Sequence, residues 1–156
     1  MVLTAHHCIG YQNVIVGMYE TLGYEGDWYR ICKDVPHPHQ RFEGGFERND
    51  LRILFVCKPI KFSKNIQPAL LPYRFMDDQF LEGKSLTASG WGWITQDRPE
   101  YPEVLMAVDV TGISNKQCDR IWDKRKISDD ILCAHGEGGG KGACTYDSGG
   151  QFRVVV

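Results

Sequence analysis

The sequence predicts an all-β chain in two halves, with one short helix. Three observations carry that reading. Short runs of β-branched and aromatic residues recur along the 156 residues, turn-forming residues separate them, and only one stretch shows helical spacing. The expected strands are 14–18 (Val-Ile-Val core), 28–35 (Trp, Tyr, Ile, Val), 51–56 (Ile-Leu-Phe-Val), 84–88, 105–110 and 152–156. Between them lie Gly23-Tyr24-Glu25-Gly26, His37-Pro38-His39, Gly44-Gly45, Leu71-Pro72 and Arg98-Pro99, all residue types that favour turns. For the helix, Ser114 or Asn115 serves as cap, and Cys118, Ile121 and Trp122 recur at three-to-four spacing on one side. The stretch 71–83 reads as a connector, dividing the chain into 1–80 and 81–156.

Composition removes several function classes. Eighteen basic and twenty acidic side chains leave a net charge of −2, which gives no electrostatic footprint for nucleic acid or an anionic membrane. Lys124-Arg125-Lys126 is the only basic run and reads as a solvated face. No apolar stretch reaches membrane-spanning length, and the 42% hydrophobic content is that of an ordinary folded domain. The first residues, Met1 to Ala5, lack the basic and long apolar regions of a secretory signal.

Six cysteines stand at 8, 32, 57, 118, 133 and 144, scattered rather than paired as Cys-x-x-Cys, so zinc-ribbon and thioredoxin readings fail on spacing. An even, dispersed set points to disulfides and an oxidising compartment. Five of the seven residues from 136 to 142 are glycine. Lys141 is followed by Gly142 rather than Ser or Thr, and no strand–turn–helix pattern surrounds the tract, so neither a phosphate loop nor a dinucleotide site is expected. It reads as a loop.

Three segments carry chemistry: Val2-Leu3-Thr4-Ala5-His6-His7-Cys8, Asn49-Asp50-Leu51, and Cys144-Thr145-Tyr146-Asp147-Ser148-Gly149-Gly150. Singly, each has an ordinary reading as a strand end or a turn. Together they follow the order His, Asp, Ser, at separations of 43 and 98 residues. Other landmarks keep step with them: His37-Pro38, Lys58-Pro59-Ile60, Asn65-Ile66-Gln67-Pro68, Leu71-Pro72, Gly90-Trp91-Gly92 and Ile131-Leu132-Cys133-Ala134. From end to end the chain resembles a serine protease of the trypsin/chymotrypsin type (peptidase S1). The resemblance implies an incomplete double antiparallel β-barrel, with histidine and aspartate from a partial first barrel (1–80) and serine from a partial second (81–156).

The resemblance also implies roles. Ser is a weak nucleophile until a base takes its proton, and imidazole has the unperturbed pKa nearest neutrality. His7 is the expected base, chosen over His6 because the family's histidine immediately precedes the cysteine. Asp50 would orient it, and Ser148 would form an acyl-enzyme. Tyr146 stands where the family has glycine; its N–H and that of Ser148 are the expected oxyanion donors. Gly142, six residues before Ser148, is the expected pocket floor, favouring an apolar over a basic substrate side chain. Asp147 matches the carboxylate that pairs with the ammonium released on zymogen activation.

Cys118 and Cys133 match a family disulfide. Cys8 and Cys144 match cysteines whose family partners lie beyond this chain, and a Cys32–Cys57 bridge between neighbouring strands stays open. Protein or peptide substrates, proteinaceous inhibitors, an extracellular location and no metal or organic cofactor follow from the family; its His-Pro turn accounts for His37 beside His39. The family's first strands and its later ones are not in the sequence, which leads to the expectation of a partial product of a longer protease. The rival is a non-catalytic homologue that binds through the same cleft, which Tyr146 and Gln151 favour and the retained triad opposes.

Overall fold

A computed structural model describes residues 1–23, 25–72, 78–122 and 127–154. Tyr24, part of the 71–83 connector, Lys124-Arg125-Lys126 and the last two residues of the sixth expected strand lie outside them. Ten strands and two short helices occur among the described residues. The first sheet contains β1 (Val2–Thr4), β2 (Asn13–Val16), β3 (Asp27–Pro36) and β6 (Arg52–Val56) in the order β1-β6-β3-β2, antiparallel throughout. A hairpin, β4 (Arg41–Glu43) and β5 (Phe46–Arg48), projects between β3 and β6, closed by Gly44-Gly45. The second sheet has the order β10-β7-β8-β9 and contains β7 (Ser85–Gly90), β8 (Met106–Ile113), β9 (Cys133–His135) and β10 (Phe152–Val154). Each is an open, curled antiparallel sheet. The all-β expectation holds.

Strands form at all six expected places, with ends that differ by at most three residues among the described residues. The strands β1, β4, β5 and β9 were not expected; each has three residues, too few for an alternating pattern to show. One helix was expected and two are present. The first, α1 (Asp78–Leu81), is a single turn in the connector, and the second, α2 (Asn115–Ile121), starts after Ser114 as expected. Its buried face is narrower than the spacing implied. Cys118 is buried, whereas Ile121 and Trp122 are exposed, because the helix ends at this turn and Trp122 is already its cap.

Alternation along the strands makes the core. Leu54 of β6, Leu86 and Ala88 of β7, and Val110 of β8 point inward and are buried. Ile113, Cys118 and Ile127 form a cluster on which Phe46, Ile131 and Cys133 pack. Two disulfides staple this framework. Cys32–Cys57 joins the register shift of β3 to the residue after β6, with Cα atoms 5.0 Å apart. Cys118–Cys133 ties α2 to β9. Cys8 and Cys144 are free.

The halves meet along main chain. Thr21 N–H donates to Glu103 O at 2.8 Å, and Leu105 N–H donates to Tyr19 O at 2.8 Å. Trp91 Nε1 donates to Tyr19 O at 3.2 Å. Phe46 from the hairpin meets Trp122 edge-on, with ring centroids 6.3 Å apart.

Candidate active site

The register of β1 on β6 explains the first part of the site. Thr4 opposes Arg52, so continuing both segments beyond their paired ends brings residues 6–7 to residue 50. There the His7 backbone N–H donates to Asp50 Oδ1 at 2.9 Å, and His7 Nδ1 lies 2.6 Å from Asp50 Oδ2. One residue therefore engages both carboxylate oxygens. A carboxylate only accepts, so Nδ1 carries the ring hydrogen of the neutral imidazole and Nε2 keeps its lone pair. Burial pushes the Asp50 carboxyl up, but the hydrogen bonds from the His7 backbone and ring outweigh that and hold it below its ordinary value.

Between the two histidines, the structure pairs His7 rather than His6 with the carboxylate. His6 instead has its carbonyl held by Arg52 Nε at 3.1 Å, and Arg52, itself buried, pairs with Asp34.

The serine sits in consecutive tight turns. Asp147 N–H donates to Cys144 O and Gly150 N–H donates to Asp147 O, both at 3.0 Å. Tyr146 occupies the third position of the first turn at φ +74°, where glycine is favoured. The loop is pinned by Asp147, whose Oδ1 accepts from Gly92 N–H at 2.8 Å and Oδ2 from Cys144 N–H at 2.9 Å. Gly92 is required there, since a Cβ would lie 2.6 Å from both Asp147 Oδ1 and Thr145 O. In this structure two backbone N–H groups, rather than an ammonium, are the partners of this carboxylate.

Gly149 brings the loop to the other half. At φ +82° a methyl on it would collide with Thr4 Oγ1 and lie 3.1 Å from Cys8 Sγ. Ser148 is exposed beside the histidine segment, and no hydrogen bond joins it to His7 among the described residues. Neither the Tyr146 nor the Ser148 backbone N–H donates a hydrogen bond among those residues.

Two aromatic residues that the sequence reading did not single out flank this loop. Trp93 and Tyr101 lie 5.7 and 5.6 Å from the Tyr146 ring, centroid to centroid. A hydrogen bond with Tyr101 raises the Tyr146 phenol above its ordinary value. Gly142 is exposed and lines a cavity of about 620 Å³ shared with Trp93, Asp147, Gly150 and Phe152.

A family model described as Trypsin matches residues 1–152. The chain belongs to the trypsin family. Among curated relatives of this trypsin-family chain, human kallikrein-15 is 28% identical over 162 residues, covering 97% of this chain and 61% of that protein. Mouse epidermal growth factor-binding protein type B is 32% identical over 163 residues, covering 97% and 60%. The chain thus spans about three fifths of the length of these relatives. A solved structure of neuropsin, described as a serine protease expressed in the limbic system of mouse brain, superposes with a TM-score of 0.85 at 23% identity, covering 97% of this chain and 66% of that one. The fold is that of the chymotrypsin-type serine proteases. No helix among the described residues is long and apolar enough to cross a membrane.

Proposed function

We propose that the chain carries the catalytic centre of a serine endopeptidase. Residues 1–80 supply His7 and Asp50 as a partial first barrel, and 81–156 supply Ser148 as a partial second. The observation that carries the reading is the grip of His7 on both Asp50 oxygens, which leaves Nε2 as the free basic nitrogen. Ser148 Oγ would attack the substrate carbonyl carbon as Nε2 takes its proton. The N–H groups of Tyr146 and Ser148 would hold the oxyanion. His7 would then return the proton to the leaving amine, and water would release the acyl group by the reverse steps. The missing Ser148–His7 bond is compatible with this, since such contacts commonly tighten only when substrate binds.

Gly142 offers no charge at the floor of the pocket, so we assign apolar over basic side chains on the acyl side of the cleaved bond. Asp147 is the group that an activating ammonium would reach, from the 620 Å³ cavity that it lines. The substrates are proteins or peptides, proteinaceous inhibitors fit the same cleft, and the setting is extracellular, in keeping with two disulfides.

The test is covalent labelling of the natural protein by a fluorophosphonate, which needs an activated serine. Labelling that a Ser148→Ala variant abolishes supports the reading. Failure to label a folded wild-type protein refutes it and leaves the rival reading, a homologue that binds without cleaving; Tyr146 in the place of the family's glycine favours that rival. Faster cleavage after Arg than after Phe or Leu would refute the pocket assignment.

A further inference from the structure

The loop that carries Asp50 is held from the other half of the molecule. Asn49 sits at φ +51°, in the left-handed region that Asn tolerates better than most residues. Its side chain donates to His39 O at 3.1 Å, and Leu51 N–H donates back to Asn49 O at 2.7 Å, so Asp50 is the middle of a three-residue turn. That leaves the Asn49 backbone N–H, which donates to Asp130 Oδ2 at 2.8 Å, across 81 residues of sequence.

Asp130 is itself anchored. Ser128 Oγ donates to its Oδ1, and the buried Arg48 guanidinium lies 3.6 Å from that oxygen while also donating to Ser128 Oγ. Asn115 Nδ2 holds the Ser128 carbonyl at 3.1 Å. Phe46 closes the same contact apolarly against the Ile113–Cys118–Ile127 cluster. One carboxylate thus accepts from the residue directly before Asp50 and faces the charge two residues earlier.

We infer that Asp130 is a positioning residue for the Asp50–His7 couple, a latch by which the second half sets the direction of the carboxylate in the first. The inference rests on the protease reading above. The geometry that supports it is the chain Asp130 Oδ2, Asn49 N–H, Asp50, His7, each link within hydrogen-bonding or covalent reach. Without Asp130, Asn49 loses one of the two bonds that hold it at positive φ, and the direction of the Asp50 carboxyl is less firmly set.

The experiment reads the whole chain in two ways: the downfield proton resonance of His7 Nδ1–H, and fluorophosphonate labelling resolved into maximal rate and half-saturating concentration. Asp130→Ala is expected to broaden or abolish the resonance. It is also expected to slow maximal labelling about 10- to 100-fold, the penalty of small misplacements, with half-saturation unchanged. Asp130→Asn, which keeps an oxygen toward Asn49, should restore most of both. Ser128→Ala, the milder lesion for use where Asp130→Ala does not fold, should shift the resonance and slow labelling in the same direction.

A folded Asp130→Ala or Ser128→Ala protein with the wild-type resonance and rate overturns the latch. So does Asp130→Asn as impaired as Asp130→Ala, since loss of the charge facing Arg48 would then be the cause. The two readings fail separately: a wild-type chain that never labels refutes the protease, while the resonance still decides the latch.

Discussion

Replacing Tyr146 by glycine and, separately, by alanine tests how this chain accommodates a bulky residue beside the proposed nucleophile, Ser148. Both substitutions remove the ring from Trp93 and Tyr101, and they differ only in a Cβ on a backbone at φ +74°. A non-glycine residue in that region costs roughly 1–2 kcal/mol, offset by about 0.5–1 kcal/mol of extra chain entropy that glycine loses on folding. The glycine variant should therefore be the more stable of the two by about 1 kcal/mol, or roughly 2–4 °C in Tm for a domain of this size. The catalytic expectation runs the other way. Because Tyr146 already occupies the glycine conformation, its N–H already points where a glycine would point it. Maximal fluorophosphonate labelling of Tyr146→Gly should then stay within about tenfold of wild type, well short of the 10²–10³-fold that one oxyanion donor is worth. Thermal unfolding and labelling kinetics on the three proteins decide it. Glycine and alanine variants that melt together would refute the strain argument. A gain of a hundredfold or more in Tyr146→Gly would show that the tyrosine backbone does not supply the donor.

Three further outcomes follow from the same geometry. Asp50 and Asp130 are both held below their ordinary value near 3.8, Asp50 by His7 against its burial and Asp130 chiefly by Ser128. Their contribution to stability is complete above that value and is lost as pH falls below it, so acid titration followed by circular dichroism should show unfolding that Asp130→Asn moves to higher pH. Gly149→Ala should slow labelling strongly while Gly10→Ala does not, because a methyl at 149 meets Thr4 Oγ1 and Cys8 Sγ and at 10 meets nothing; equal rates would refute the packing of the serine loop on the histidine segment. Alkylation of the 156-residue chain without reduction, read by peptide mass, should modify Cys8 and Cys144 only, and replacing both Cys118 and Cys133 by Ala, opening a 15-residue loop, should cost about 3 kcal/mol in denaturant unfolding.

The residues proposed for the site were picked out in the chain by family resemblance, as a histidine, an aspartate and a serine in one order; the structure brings His7 and Asp50 together. The six expected strands were legible because a run of β-branched and aromatic residues is a local signal, even where the strand itself, as in β2 and β10, is only three or four residues long. The three-residue strands β1, β4, β5 and β9 were not; β1 and β9, for instance, exist only through partners some fifty and some twenty residues away. The cysteine reading divides the same way. Cys118–Cys133 followed from family resemblance, whereas Cys32–Cys57 needed the register shift of β3 to bring its sulfur to the end of β6.

What the sequence determined by itself is therefore the class of fold, the family, the residues proposed to react and the uncharged residue at 142. What only tertiary structure decided is how those groups are held. Both oxygens of Asp50 turn to His7, backbone N–H groups of Gly92 and Cys144 satisfy Asp147, Tyr146 is forced to positive φ, and Asp130 reaches across to Asn49. Each of these depends on a direction in space set by strand register or by the meeting of the two halves. A pattern of residue types along a chain records which atoms are present; which lone pair faces which N–H appears only after the chain has folded.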